Sequence, residues 1–255
     1  MNQFLGLVRK DWYWMRTEVY VVLGFYTAIL IFLPLLLQKT VAKGYAFHEV
    51  IVFLSGLALF LGMFLPAIVL IWLLHHDMKH PDLWLHTTAG STKLFSVKIL
   101  LSGLVGAGLL MITGVVVTAS YFPANADYSL SNLLTVESSI LILLLLFVFS
   151  STVTTLFFWV LFQVMRPRIG KFSLPLTLLL FVLYCYVDMK LSTTEFFKNY
   201  ISVGEINFGA FKQKTGMFSV EGEAMFYVGD FVFGLIITVA LFTFAIILFN
   251  RKVRC

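Results

Sequence analysis

The sequence predicts an all-α membrane protein with six transmembrane helices, an N-terminal interfacial helix and both termini in the cytoplasm. Three observations predict this fold class. The chain of 255 residues is 60% hydrophobic and 12% charged, whereas a soluble domain usually carries about 25% charged residues. Several apolar runs exceed the ~20 residues that cross a bilayer. Lysine and arginine are concentrated in alternate segments between those runs. Residues 1–255 are therefore expected to form a single transmembrane domain.

Residues 1–18 are a basic segment ahead of the first apolar run. Leu5, Val8, Trp12 and Met15 recur at helical spacing. This spacing favours an amphipathic helix that lies at the membrane surface with its basic side towards water. The alternative is a flank whose positive charge only fixes the orientation of the first span.

Six spans are expected, at about residues 19–37, 49–74, 95–121, 139–165, 172–187 and 227–249. In the third span, Ser102 and Gly106 lie four residues apart, a spacing that allows close approach of a neighbouring helix. The alternative is that glycine is simply common in membrane helices. In the fourth span, the hydroxyl residues between 150 and 155 are expected to bond the backbone one turn back rather than to line a pathway.

The charge distribution predicts the orientation of these spans. Twelve lysines and arginines fall in one set of connecting segments and six in the other. The richer set includes both termini, so the positive-inside rule places both ends in the cytoplasm. Such a chain, without an apparent cleavable signal, suits a multi-pass protein of a bacterial plasma membrane.

The longest polar interruption on the cytoplasmic side is residues 75–98. Pro81 cannot continue the incoming helix without losing a backbone bond, and it suits the first turn of a new helix. Asp82 is favourable near the positive end of that new helix. Gly90 marks a break, and Ser91 can cap the next span. The segment therefore predicts a short helix between two spans, which is a contact point for another protein.

The largest external segment is residues 189–226. Ser192 or Thr193 is expected to cap a short helix that reaches Tyr200. Alternating residues at 200–208 and 217–223 predict a small β-hairpin. The alternative is an irregular loop.

The motifs predict no catalytic residue, metal ligand set or resident cofactor. His76 and His80 have the spacing of a zinc metalloprotease helix, but Asp77 stands where that motif needs a glutamate as general base. Cys185 and Cys255 fall on opposite sides of the membrane in the expected topology, so they form no disulfide. The chain contains no nucleotide-binding loop of the Gly-rich Lys-Ser/Thr type. The net charge of +5 reflects cytoplasmic membrane loops rather than nucleic-acid binding.

The order of elements, and the stretch from Pro81 to Lys98 in particular, resembles the membrane subunit of type-2 ATP-binding-cassette exporters. In that family the loop after span two carries a short coupling helix, followed by a helix start with a basic residue. Where related permeases often have a Leu-Pro turn, this chain has Thr88-Ala89-Gly90.

The resemblance implies a permease that pairs with a second, identical or related permease in the lipid bilayer. A separate ATPase subunit, which binds ATP and magnesium, would supply the energy. The expected ATPase-coupling residues are Asp82, Leu83, Trp84, Leu85, His86, Thr87 and Thr88. A second contact is expected on the interfacial helix, at Arg9, Lys10, Trp12 and Arg16. The apolar interior favours an amphipathic substrate such as a peptide or lipid.

Two other functions remain open from the sequence. One is an intramembrane metallopeptidase that uses His76 and His80. The other is a non-transporting immunity or assembly subunit that binds a peptide through residues 189–226.

Overall fold

The computed structural model describes residues 2–40, 47–79, 90–121, 130–206 and 226–252. Nearly all of these residues are helical. The helices are α1 (Asn2–Thr40), α2 (Phe47–Gly62), α3 (Leu65–Asp77), α4 (Ser91–Tyr121), α5 (Leu130–Ile169), α6 (Ser173–Ser192), the short wide-turn helix α7 (Phe197–Ile201) and α8 (Val228–Lys252). A tight helical turn at Gly170–Phe172 joins α5 to α6, and strands β1 (Glu205–Ile206) and β2 (Phe226–Tyr227) form a short ladder.

Within the described residues, five helical stretches are long and apolar enough to cross a membrane. They are Gln3–Thr40, Val50–Asp77, Ser91–Ser120, Ile140–Ser192 and Val228–Lys252. These stretches are compatible with a multi-pass membrane protein and support the predicted helical transmembrane class. The chain divides into two compact units, residues 1–152 and 153–255.

The stretch Ile140–Ser192 reverses direction at the turn between α5 and α6. The Phe158 ring lies 5.2 Å from the Phe181 ring and 5.8 Å from the Tyr184 ring, and Tyr184 also hydrogen-bonds with Thr154. Residues before and after the turn therefore pair in antiparallel order. Gly170 has a φ of +59°, which a residue with a Cβ rarely adopts, so glycine suits this reversal.

In the first unit, α1 and α4 run parallel and α3 runs antiparallel to α4. Asp11 bonds with Lys98, and Tyr26 bonds with Thr113, so each helix advances by the same number of residues between the two contacts. Along α3 the order is opposite, because its last residue, Asp77, meets Lys98 near the start of α4. The packed core of this bundle contains Met15, Val19, Tyr26, Leu30, Leu73, Val97, Leu101, Val105 and Leu109.

The N-terminal segment is continuous with the first span rather than a separate interfacial helix. Helix α1 passes through the expected boundary at residues 18–19 without a break. Met15 is fully buried, and Val8 and Trp12 pack against the same core, whereas Leu5 is 58% exposed. Most residues of the predicted apolar stripe thus pack against the core of the helix bundle. The placement of this segment at the membrane surface stays a prediction.

The second predicted span is divided into α2 and α3. Met63 and Phe64 form the junction, and Pro66 occupies the first turn of α3, where its missing N–H costs no helical bond. Opposite this junction, a Cβ added to Gly106 would lie 2.5 Å from Pro66 Cγ and 2.9 Å from Val148 Cγ1. The expected close helix packing at Gly106 is therefore confirmed, and Ser102 is fully buried on the same helix.

The hydroxyl groups of α5 bond the backbone as expected. Ser151 Oγ and Thr152 Oγ1 both donate to the carbonyl oxygen of Val148, at 3.0 and 2.7 Å. Thr152 is also fully buried. These contacts support a packing role for this part of the hydroxyl-rich segment.

The segment that was expected to be external, residues 189–226, forms its ladder at a place that the sequence did not predict. Glu205 pairs with Tyr227 and Ile206 with Phe226, so the second strand lies at the start of α8, whereas the expected strand at 217–223 lies outside the described residues. Thr194, rather than Ser192 or Thr193, accepts a bond from the Phe197 N–H at the next helix. A Cβ on Gly229 would overlap the Ile201 carbonyl oxygen. This close approach requires glycine.

Replacing Gly106 with alanine should destabilise the first unit by about 1–3 kcal/mol, because the Pro66 ring and the branched Val148 side chain must move to admit the new methyl group. The matched control is Gly103→Ala on the same helix, where nothing lies within 4 Å of the added Cβ. Alanine there should be neutral or stabilising by about 0.5–1 kcal/mol. The measurement is the unfolding midpoint in detergent, and equal midpoints for the two variants would contradict the packing described at Gly106.

Candidate functional site: a buried ion cluster that joins three helices

A cluster of four charged residues lies at one end of the first unit. Lys10 and Asp11 come from the N-terminal part of α1, Asp77 is the last residue of α3, and Lys98 lies two turns into α4. Three helices therefore contribute to the cluster. Asp77 precedes the residues 80–89 along the chain, and Lys98 follows them.

Lys98 joins the two carboxylates. Its Nζ lies 2.6 Å from Asp77 Oδ2 and 3.1 Å from Asp11 Oδ2. The ammonium group donates a charge-assisted hydrogen bond to Asp11 and forms a close ion pair with Asp77. Lys10 Nζ faces the other oxygen of each acid, at 3.7 Å from Asp77 Oδ1 and 3.9 Å from Asp11 Oδ1. Each carboxylate thus has a close inner cation and a more distant outer one.

The inner part of this ion cluster is almost completely buried. Lys98 is 1% exposed, and the side chains of Asp11 and Asp77 are 8% and 9% exposed, whereas the Lys10 side chain is 51% exposed. Two ammonium and two carboxylate groups make the cluster neutral. Its geometry matters energetically, because removal of one partner from a buried ion pair leaves an uncompensated charge in a poorly solvated place.

The ion cluster connects α1 to the two helices that precede and follow residues 80–89 in the chain. The Asp77–Lys98 bond connects the helix before the segment to the helix after it, and Asp11 connects both to α1. Nearer the N-termini of α1 and α4, Lys93 Nζ donates a hydrogen bond to Gln3 Oε1 at 3.3 Å. A displacement of the end of α3 or of the start of α4 would therefore act on all three helices together.

Aromatic residues line the same contact between α1 and α3. The His76 ring lies 4.8 Å from the Trp14 ring and 6.1 Å from the Trp72 ring. Within the described parts of the chain, no group of three histidine, cysteine, aspartate or glutamate residues is arranged to hold a metal ion. His80 lies outside those residues, so the metallopeptidase hypothesis stays a prediction.

The residues that the sequence predicts to contact an ATPase subunit differ in where the structure places them. The expected coupling residues, Asp82, Leu83, Trp84, Leu85, His86, Thr87 and Thr88, lie outside the described residues. On α1, Arg9 and Arg16 are exposed, and Arg16 lies 4.4 Å from the centre of the Tyr13 ring. Lys10 instead faces the two acids, and Trp12 packs against the core. Arg9 and Arg16 are thus the outward-facing members of the predicted α1 contact.

The ion cluster was not predicted from the sequence, although the residue pattern contains a signal for it. Asp11 shares a helical face with Val8 and Met15, and Lys98 shares one with Leu94 and Leu101. A charged residue on the apolar face of a helix is expected to be buried, and a buried charge needs a partner. The acid on one apolar face and the base on the other are therefore expected to pair.

Replacing Lys98 with methionine should destabilise the protein by about 3 kcal/mol, because two buried carboxylates would then lack their inner cation. The expected loss in apparent melting temperature is on the order of 5–10 °C. The control is Lys93→Met, since Lys93 is exposed and its replacement should change stability by about 0.5 kcal/mol or less.

A second comparison separates the charge effect from a packing effect. Adding Asp11→Asn and Asp77→Asn to Lys98→Met removes the uncompensated charges and should restore much of the lost stability. Thermal unfolding in detergent gives the comparison. A Lys98→Met variant as stable as Lys93→Met would show that the ion cluster carries no structural constraint.

No family model matches this chain, and no match was found among curated proteins or among solved structures. A functional interpretation therefore rests on the sequence pattern and on the geometry of the ion cluster.

Proposed function

We propose that this chain is the permease subunit of an ATP-binding-cassette exporter in a bacterial plasma membrane. It pairs with a second permease, identical or related, to form a translocation path. A separate ATPase subunit, loaded with ATP and magnesium, docks on the 75–98 segment and drives the transport cycle. The chain itself carries no catalytic residue in this proposal.

The observation that carries the proposal is that one buried ion cluster joins three helices, and that two of them, α3 and α4, precede and follow residues 80–89 in the chain. Two helices that are merely consecutive in the chain need no such link. Here Lys98 contacts both Asp77 and Asp11, so a force on the end of α3 or the start of α4 also acts on α1. Conversion of ATP-driven motion into rearrangement of spans requires a rigid connection of this kind.

Six spans with both ends inside remain the proposed topology. The helices Gln3–Thr40, Val50–Asp77, Ser91–Ser120 and Val228–Lys252 account for four crossings. The reversal at Gly170–Phe172 divides Ile140–Ser192 into two antiparallel helices, which supply the other two crossings, spans four and five. The distribution of twelve basic residues against six supports the cytoplasmic placement of both termini.

The proposed substrate is an amphipathic peptide or lipid. Along the first unit, the buried ionic groups lie at the helix ends, and the contact deeper in the bundle is a bond between two neutral hydroxyls, Tyr26 and Thr113, at 2.8 Å. A path next to such helices has few fixed charges to hold a small ion, but it can accommodate apolar groups with some polar contacts.

The test is purification of the protein from its native membrane, followed by an ATPase assay on the complex. We expect an ATPase subunit to co-purify. Replacing Trp84 with alanine should lower the ATPase activity of the complex roughly tenfold, because the loss of an aromatic anchor in an interface costs 1–2 kcal/mol or more.

The control is Lys198→Ala, an exposed lysine on the side predicted to be external, which should leave the activity unchanged. If the protein purifies without any ATPase subunit, the exporter proposal is wrong. The immunity or assembly function through residues 189–226 would then be tested next, by direct peptide binding.

A further inference from the structure

The second predicted span contains a narrow break in its helical hydrogen bonds. Helices α2 and α3 lie in one stretch that is long and apolar enough to cross a membrane, but they are separated at Met63 and Phe64. Pro66 has no N–H, so the carbonyl oxygen of Gly62 lacks the donor that an unbroken helix would give it. Regular bonds from an N–H to the carbonyl four residues earlier flank the break on both sides. The break is therefore confined to the turn around these residues.

A proline alone is not sufficient to break a helix in this chain. Pro34 lies inside α1, which continues through it. The residue whose carbonyl loses its donor there is Leu30, whereas the corresponding residue before Pro66 is Gly62. Leucine is a good helix former and glycine is a poor one. Gly62 and Pro66 together therefore weaken one turn of the helix at two positions.

Helix α3 is held to α4 at both of its ends. At the start of α3, the Pro66 ring lies so close to Gly106 that an added Cβ there would be 2.5 Å from Pro66 Cγ. At the end of α3, Asp77 Oδ2 lies 2.6 Å from the buried Nζ of Lys98. A tilt of α3 away from α4 would therefore disrupt either close packing or a buried ion pair, and the loss of a buried pair is costly.

Helix α2 is attached in a different way. It packs against α1 and α4, and the side chains that it buries include Val50, Ile51 and Leu54. Its buried hydroxyl, Ser55 Oγ, donates to the carbonyl oxygen of Val52 in the same helix. Among the described side chains, no hydrogen bond or ion pair joins α2 to another helix. Apolar contacts are non-directional, so they allow changes of angle that an ion pair would resist.

The outer side of the junction leaves room for bending. Phe60 and Phe64 lie one helical turn apart, and their rings meet edge to face with 5.4 Å between the centroids. Both side chains are more than half exposed. A change of angle at the junction is therefore not blocked by tightly packed side chains on this side.

We propose that the Met63–Phe64 junction is a hinge at which α2 bends relative to α3, while the ion cluster and the Gly106 contact keep α3 fixed to α4. A hinge of this kind is a short stretch that absorbs changes of backbone angle between two bodies that stay rigid. The bending is a property of this chain alone, but its use rests on the proposed function. In a transport cycle, α2 would change its angle while the three helices that the ion cluster joins keep their register.

The test is the distribution of distances between two spin labels, measured by double electron–electron resonance on the full-length protein in lipid nanodiscs. The labels are attached to Phe53→Cys on α2 and Ile68→Cys on α3, both exposed positions, in a background without the two native cysteines. The matched control is Leu100→Cys with Val115→Cys on the unbroken helix α4, where both positions are also exposed. Each pair is fifteen residues apart, or about 22 Å along a helix. We expect the distribution across the junction to be at least about twofold broader than that of the control pair.

Two variants test whether the break itself causes the bending. Pro66→Ala supplies the missing N–H, and Gly62→Ala replaces the poor helix former with a new Cβ that would lie 3.5 Å from Tyr26 Oη, an ordinary contact. Each variant should narrow the distribution across the junction, and the two together should bring it to the width of the control pair. Pro34→Ala, the matched proline control in α1, should leave it unchanged. Thermal unfolding in detergent checks that each variant is folded, and Gly62→Ala keeps the test decisive if the altered contact with Gly106 unfolds Pro66→Ala.

Equal widths for the two wild-type label pairs would overturn the inference. A broad distribution that neither variant narrows would also overturn it, because the motion would then arise within α2 or α3 rather than at the junction. These measurements need no partner, so they separate the hinge from the exporter proposal. A distribution that narrows as expected in a protein that purifies without an ATPase subunit would support the hinge and refute the exporter. Equal widths in a protein that does carry an ATPase subunit would refute the hinge alone.

Discussion

The bond between Lys98 and two carboxylates is the constraint on which the first unit depends. An ammonium group that is 1% exposed cannot be solvated by water, so its position requires both Asp11 and Asp77. Those acids in turn require α1 and α3 to reach α4 at one level. The vertical register of three helices thus follows from the needs of one buried charge. Apolar packing alone would constrain this register less, because one leucine-rich face can slide along another at lower cost.

A second polar contact holds the same helices deeper in the bundle. The Tyr26–Thr113 bond lies fifteen residues further along both α1 and α4 than the Asp11–Lys98 bond, or about 22 Å. Between these contacts the core contains residues such as Met15, Leu101 and Val105. At Gly106 the neighbouring helices approach α4 closely, and Pro66 and Val148 contact it there. The polar bonds thus specify how the helices are aligned, and the small residues allow the helices to come close enough for these bonds to form.

The sequence predicted the helical membrane class because long apolar runs have few alternatives in a bilayer. It also identified Gly106, since two small residues four positions apart on a helix let a neighbouring helix approach closely.

The sequence predicted neither the continuity of α1 through residues 18–19 nor the junction at Met63–Phe64. Both depend on contacts with other helices rather than on local residue preference. The apolar faces that carry Asp11 and Lys98 indicate that each charge needs a partner. These two residues are 87 positions apart, however, and the packing of three helices determines that they meet each other and Asp77. The ladder at Phe226–Tyr227 was missed because those residues continue the apolar pattern of the following helix.

The continuity of α1 has a mechanical consequence. A helix without a break between Asn2 and Leu30 behaves as a stiff rod, and the Tyr26–Thr113 bond gives it a fulcrum. If Asp11 were released from Lys98, a tilt of about 5° around that fulcrum would swing the N-terminal end by about 3 Å over the ~36 Å that separate it from Tyr26. The far end beyond Leu30 would move the opposite way by a smaller amount. A signal at one end of the rod could therefore reach the other as a change of angle, while every residue in between keeps its hydrogen bonds.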